Sequence, residues 1–180
     1  MFLKLSNFYK FIFIIFTMIG YSMTIEANDN ILLLELKDGI VTIQMKPEVA
    51  PNHVSRIKEL VNEGFYDGLK FHRVIAGFMA QTGDPQGNGT GGSGKNLKAE
   101  FNNERHLKGT LSMARAQDPN SADSQFFICL DDVPHLNGQY TVWGQVTDGM
   151  EYVDNIKKGE GTNGSIIGEP DIIISMKMKK

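Results

Sequence analysis

One arginine stands inside an apolar run. From Phe71 to Asp84 the chain reads Phe-His-Arg-Val-Ile-Ala-Gly-Phe-Met-Ala-Gln-Thr-Gly-Asp, which sets Arg73 among Phe71, Val74, Ile75, Phe78 and Met79. A guanidinium stays charged and offers a rigid fork of donors. In such company it is one of two things. Either it is a strand-edge residue with its stem on apolar surface and its head in water, or it is a cation at the lip of an apolar pocket, where weak screening strengthens its field. The neighbouring His72 is either a general base or a strand residue bonded to nearby backbone.

Other chemistries find less support. The four histidines, at 53, 72, 106 and 135, show no pair at ligand spacing, and the chain has one cysteine. No metal and no cofactor is therefore expected. No Gly-x-Ser-x-Gly elbow marks a serine nucleophile. Cys129, within Gln-Phe-Phe-Ile-Cys-Leu, reads as a buried structural thiol. Gly89-Thr-Gly-Gly-Ser-Gly-Lys95 approaches a phosphate-binding loop, but Asn96 follows where Ser or Thr would hold magnesium, and no apolar-faced helix opens there. What remains is a pocket without nucleophile or metal. Phe78, Met79, Phe127 and Leu136 are its candidate walls, and Gln81 and Gln125 are polar residues of the same segments. Phe127 and Leu136 read equally well as ordinary core.

The elements that must position these residues are short. Ile31–Leu36 and Ile40–Met45, joined by Lys37-Asp38-Gly39, read as a hairpin. Val54, Ile57, Leu60 and Val61 recur at helical spacing, with Asn52 as the expected N-cap and Gly64 as the stop. Ala76-Gly77 divides the arginine stretch into two strands. Pro85–Lys95 is a glycine-rich surface loop. Strands are expected at Gly109–Ala114, Ser124–Leu130, Tyr140–Val146 and Ile172–Met178. Ser124–Leu130 should put Gln125, Phe127 and Cys129 on one face and Phe126, Ile128 and Leu130 on the other. A second short helix follows Asp148-Gly149, and Gly159–Gly168 is a second glycine-rich loop. About eight strands and two helices without βαβ alternation favour a closed antiparallel barrel or a sandwich.

The chain has 180 residues and a formal net charge of −3. Lys4 and Lys10, the apolar stretch Phe11–Ile19 and the small residue Ala27 follow the order of a secretory signal peptide. Residues 1–27 are expected to be a cleaved signal, and the apolar stretch is short for a membrane span. The protein would then be exported, and periplasmic in a Gram-negative bacterium. The leader carries two lysines and one glutamate, so residues 28–180 keep 16 basic and 20 acidic side chains, a net charge of −4. That balance argues against a nucleic-acid partner. The 153 residues left suit one domain with one core.

Several motifs in order resemble the cyclophilin family of peptidyl-prolyl cis-trans isomerases. They are Phe71–Asp84, Gly89-Thr-Gly-Gly92, Leu111-Ser-Met-Ala114, Ser124-Gln-Phe-Phe-Ile-Cys129 and Leu136-Asn-Gly138. The resemblance runs from about Ile31 to Met178. It implies a mainly β fold, a closed eight-stranded antiparallel barrel capped by two α-helices, and acceleration of X-Pro isomerisation during protein folding without a covalent intermediate. It also implies roles. Arg73 matches the catalytic arginine, and Phe78, Met79, Phe127 and Leu136 match the walls of the proline pocket. Gln81 matches the residue that orients the arginine. Ala114 and Gln125 match groove positions for residues before the proline, Gly89 lies at the groove's edge, and His72 is an active-site neighbour. Tyr140 stands where many relatives have His, and Arg115 where many have Asn. His135 replaces the Trp that contributes to cyclosporin binding in many eukaryotic members, which leaves sensitivity to that drug open. The expected partners are proline-containing peptides and unfolded or partly folded proteins. A monomer is expected, with no stable membrane insertion after cleavage. A competing reading keeps the barrel as a proline-peptide-binding chaperone module with little turnover.

Overall fold

The computed structural model describes residues 29–180, and the expected signal peptide at 1–27 lies outside the described residues. Strands β1 (Ile31–Leu36) and β2 (Gly39–Met45) form the expected hairpin, paired from Ile31↔Gln44 to Leu36↔Gly39. Period-2 alternation turns Leu32, Leu34, Leu36, Val41, Ile43 and Met45 inward, and all six are buried.

Helix α1 (Pro51–Asn62) starts two residues earlier than the Asn52 cap predicts. Ala50 holds the N-cap position and Pro51 begins the helix, where its missing N–H costs nothing. The side chain of Asn52 donates instead to Glu100 at 2.7 Å. The predicted stop holds. Gly64 has φ +70°, its N–H reaches the Val61 carbonyl, and the Phe65 N–H reaches that of Leu60. That pair of bonds is a Schellman termination.

The arginine stretch forms β3 (Arg73–Ile75) and β4 (Met79–Thr82), with Gly77 at φ +68° in the bend. Then come β5 (Thr110–Met113), β6 (Phe126–Cys129), β7 (Val142–Asp148), the short helix α2 (Met150–Asp154) and β8 (Ser175–Met178). A 3-10 turn, Pro134–Leu136, lies in what reads from sequence as plain loop. Tyr140 precedes its strand rather than opening it, and the last strand begins at Ser175 rather than Ile172.

The eight strands make one antiparallel sheet in the order β3-β4-β6-β5-β7-β2-β1-β8. This is a mainly β half-barrel with two helices, and β3 and β8 are its edges. The chain just before each edge strand carries the contact between them. Gly68 and Phe71 donate to the carbonyls of Ile173 and Asp171 at 2.7 and 2.9 Å, and Ile173 donates back to Leu69 at 2.8 Å.

The sheet has an apolar cluster on each face. The larger joins Leu32, Leu34, Ile43, Phe71, Val74, Phe126, Ile128 and Trp143 to Val54, Ile57 and Leu60 of α1. The smaller holds Met79, Phe127, Cys129, Val133 and Leu136, with Ile75, Phe78, Ala114 and Tyr140 packed on it. The predicted division of β6 is therefore observed. In β3, Val74 faces the main core and Ile75 the smaller cluster.

Candidate functional site

The smaller cluster is the floor of the site, and strand register assembles it. Arg73 pairs with Gln81, Gln81 with Phe127, and Phe127 with Ser112. Directly paired residues point to the same side of a sheet. One row across β3, β4, β6 and β5 thus brings the cation, the amide and the aromatic wall to the face opposite the main core.

Above this row lies a cavity of about 100 Å³ lined by Arg73, Phe78, Met79, Gln81, Ala114, Arg115, Phe127, Leu136 and Tyr140. Its walls are held by aromatic contacts. Phe127 meets Tyr140 edge to face, with centroids 5.8 Å apart. Behind Phe127 the His106 ring stacks at 6.2 Å. His106 is buried, and its two ring nitrogens face Asn137 Oδ1 at 3.1 Å and Ser112 Oγ at 3.0 Å. It ties β5 to the turn that carries Leu136, a role that its sequence neighbours gave no sign of.

Arg73 is fixed from two sides. Its Nε donates to the Asn163 carbonyl at 2.8 Å, and Nη1 donates to Gln81 Oε1 at 3.1 Å. Gln81 Nε2 then donates to Gln125 Oε1 at 2.9 Å, and Gln125 Nε2 to the carbonyls of Gly91 and Gly89 at 2.8 and 3.1 Å. Arginine has donors only, so each amide along this line has its orientation set by the one before. No hydrogen bond from Nη2 is seen among the described residues, which leaves that arm of the fork for a ligand.

A second, more polar recess of about 260 Å³ adjoins the first and shares Gln81, Ala114 and Arg115 with it. Gly89, Thr90, Gly91, Gly92, Asp123 and Gln125 are among its other lining residues. The glycine loop here is not a phosphate cradle. Asp84 accepts from the N–H groups of Gln86, Asn88 and Gly89 at 2.8, 3.0 and 2.6 Å. Asp123 accepts from Ser93 Oγ and from the N–H groups of Gly94 and Lys95. An anion would find these amides already held by carboxylates. Burial pushes the Asp84 carboxyl up, but the N–H donors outweigh it and leave the group below the usual range.

The one thiol offers no nucleophile to the site. Cys129 is fully buried, and burial pushes its thiol up to about 12. It stays protonated under the site floor. Burial holds the His72 imidazole below its ordinary value.

The cyclophilin type peptidyl-prolyl cis-trans isomerase model matches residues 31–178. The chain belongs to that family. It is 52% identical over 170 residues, 87% of each chain, to the "Probable peptidyl-prolyl cis-trans isomerase" of Brucella suis. It is 48% identical over 128 residues, 69% of this chain and 89% of the relative, to "Peptidyl-prolyl cis-trans isomerase B" of Bacillus subtilis. A similar crystal structure is a Cryptosporidium parvum cyclophilin type isomerase, determined in the presence of the dipeptide Ala-Pro. It has a TM-score of 0.76 and 29% identity, over 83% of this chain and 99% of that one.

Within this cyclophilin the expected site residues fall into three groups. Arg73, Phe78, Met79, Gln81, Ala114, Phe127, Leu136 and Tyr140 line the apolar cavity. Gly89 and Gln125 line the adjoining recess. His72 and His135 line neither. His72 lies beneath the glycine loop, where a Cβ on Gly89 would sit 3.7 Å from its Nε2. His135 is exposed and packs on the outside of Phe78, ring to ring at 5.6 Å. Sequence reasoning missed Asn163, whose carbonyl anchors Arg73 from 90 residues away.

Proposed function

We propose that Arg73 accelerates rotation about X-Pro bonds and that the apolar cavity beside it holds the proline ring. One observation carries the reading. A fixed guanidinium stands at the rim of an apolar cavity whose only other titratable lining groups are Arg115 and Tyr140. No Ser, Cys, Asp, Glu or His of the lining offers covalent or acid–base chemistry. Amide rotation needs neither.

The barrier to rotation is about 18–20 kcal/mol, because resonance across C–N must be lost. The two X-Pro isomers differ by only about 0.5–1 kcal/mol. When the amide twists, its nitrogen loses conjugation and becomes a better acceptor. A donor aimed at that nitrogen, or at the adjacent carbonyl oxygen, binds the twisted form more tightly than either planar form. Arg73 supplies such a donor without reorganisation, since Gln81 and Asn163 already hold its other arms. Phe78, Met79, Phe127 and Leu136 clamp the ring while the preceding residue turns. The substrates are X-Pro bonds in peptides and in unfolded or partly folded chains.

Cis/trans exchange of a short X-Pro peptide, measured by NMR without protease, tests this. Arg73→Ala should keep the fold and lose about 10²–10³ of turnover, the usual effect of removing one transition-state donor. Arg73→Lys should recover only part, because a single ammonium replaces the fork. Wild-type turnover in folded Arg73→Ala protein would refute the assignment. Binding without accelerated exchange in the wild type would favour a proline-peptide-binding module.

A further inference from the structure

We propose that Arg115 makes this cyclophilin select peptides carrying a carboxylate side chain close to the proline. The inference rests on the reading of the apolar cavity as the proline site.

Arg115 is the one cation common to both cavities, which meet at Gln81, Ala114 and Arg115 itself. Its position is fixed by the fold. Nε and Nη2 donate to the Gln139 carbonyl at 3.4 and 3.2 Å, and Nη1 donates to those of Ala116 and Gln117 at 3.0 and 3.2 Å. The guanidinium also lies 4.7 Å from the centre of the Tyr140 ring, and that ring in turn braces Phe127. These partners are neutral, so they use donors without cancelling charge. None of the six ion pairs among the described residues includes Arg115 or Arg73. Two uncompensated guanidiniums therefore border one groove of a chain whose formal net charge is −3.

A peptide with its proline in the smaller cavity must place a neighbouring side chain or stretch of backbone at the shared wall. The shared wall carries the Arg115 charge beside neutral Gln81 and Ala114, and no carboxylate lines both cavities. The nearest carboxylate of the recess lining, Asp123, is turned to Ser93 and to the amides of Gly94 and Lys95. The wall thus favours Asp or Glu and disfavours Lys or Arg at the residue that meets it. Arg115 acts here as a specificity residue and takes no part in the bond rotation.

The test uses matched X-Pro peptides in which one position carries Glu, Gln or Lys. The position is scanned from three residues before the proline to two after it, and kcat/KM is read by NMR exchange. At low ionic strength the wild type should prefer Glu over Lys by about fivefold at one position, the size of a partly screened charge pair at contact. The preference should shrink in about 0.5 M salt. Arg115→Lys, which keeps the charge, should keep the preference, whereas Arg115→Gln should bring the ratio close to one. The ratio within each variant cancels any general loss from the missing stack on Tyr140. Equal ratios in wild type and Arg115→Gln, or no position with a Glu preference, would overturn the proposal. Failure of the wild type to isomerise even the Gln peptide would overturn the isomerase reading itself, a distinct result.

Discussion

At the scale of single residues, the informative one is Gln81. Its carbonyl oxygen must face Arg73, so its amide nitrogen must face an acceptor, and Gln125 provides one. Gln125 must then present its own nitrogen to the carbonyls of Gly89 and Gly91. Gln81→Leu keeps the volume and removes the acceptor, leaving Nη1 free to turn away. We expect kcat/KM to fall about tenfold, the worth of one hydrogen bond to a charged group, with little change in unfolding midpoint. Gln81→Glu should not restore activity. A carboxylate would satisfy Arg73 but oppose Gln125 Oε1, and turning that amide would set its oxygen against two carbonyls. Full activity in Gln81→Glu, read by the same NMR exchange, would show that the direction of the chain of amides is irrelevant. The residue types of this site were legible from Phe71–Asp84 and Ser124–Leu130. Their order of donation was not, because it depends on a partner 44 positions away.

At the scale of elements, the site is a product of register. A slip of one residue in β4 would send Gln81 and Met79 into the main core and Ala80 to the surface. Period-2 alternation in β6 was enough to separate Phe127 and Cys129 from Phe126 and Ile128, while Phe127 and Met79 were assigned to the pocket only through the family resemblance. Less was visible of the glycine-rich loops, since polar loop sequence does not reveal what a loop lies against. The loop at 159–168 covers the free edge of β3. Val74 donates to the Gly164 carbonyl and accepts from Gly159, both at 2.8 Å, and Asn163 holds Arg73. Gly164 has φ +69°, and a Cβ there would clash with Ile75 Cγ1 and lie 2.8 Å from the Val74 carbonyl. Gly164→Ala therefore should cost roughly 1–3 kcal/mol of stability, read by urea unfolding. It should also lower kcat/KM at temperatures where the protein remains folded, because Arg73 loses its anchor. A destabilised variant with unchanged kcat/KM would assign the loop to stability alone.

At the scale of the whole molecule, protonation links the site to stability. Burial holds His72 and His106 below the ordinary imidazole value of 6.5. Below pH 6.5 the unfolded chain takes up protons on these rings while the folded chain still excludes them. The unfolded state then binds more protons, and stability falls as pH falls. His106 alone can supply a slope of up to about 1.4 kcal/mol per pH unit in this window. The carboxylates add a second limb of the same sign. In Asp84, Glu100 and Asp171 burial raises the carboxyl, but hydrogen bonds and nearby cations outweigh it and each group lies below its ordinary value of 3.8 or 4.5. Their contribution is present above those values and is lost as pH drops through the lowered ones. Calorimetry should therefore show a thermal midpoint that is level from about pH 7 up to the ordinary thiol value of 9.0, above which the buried Cys129 lowers it. On the acid side it should decline from about pH 6.5 and steepen below about pH 4.5. His106→Asn should make the first limb shallower, leaving the share of His72, and leave the second unchanged. A midpoint constant between pH 6.5 and 5 would mean that the buried imidazoles keep ordinary affinities, and that the stack behind Phe127 tolerates a charged ring.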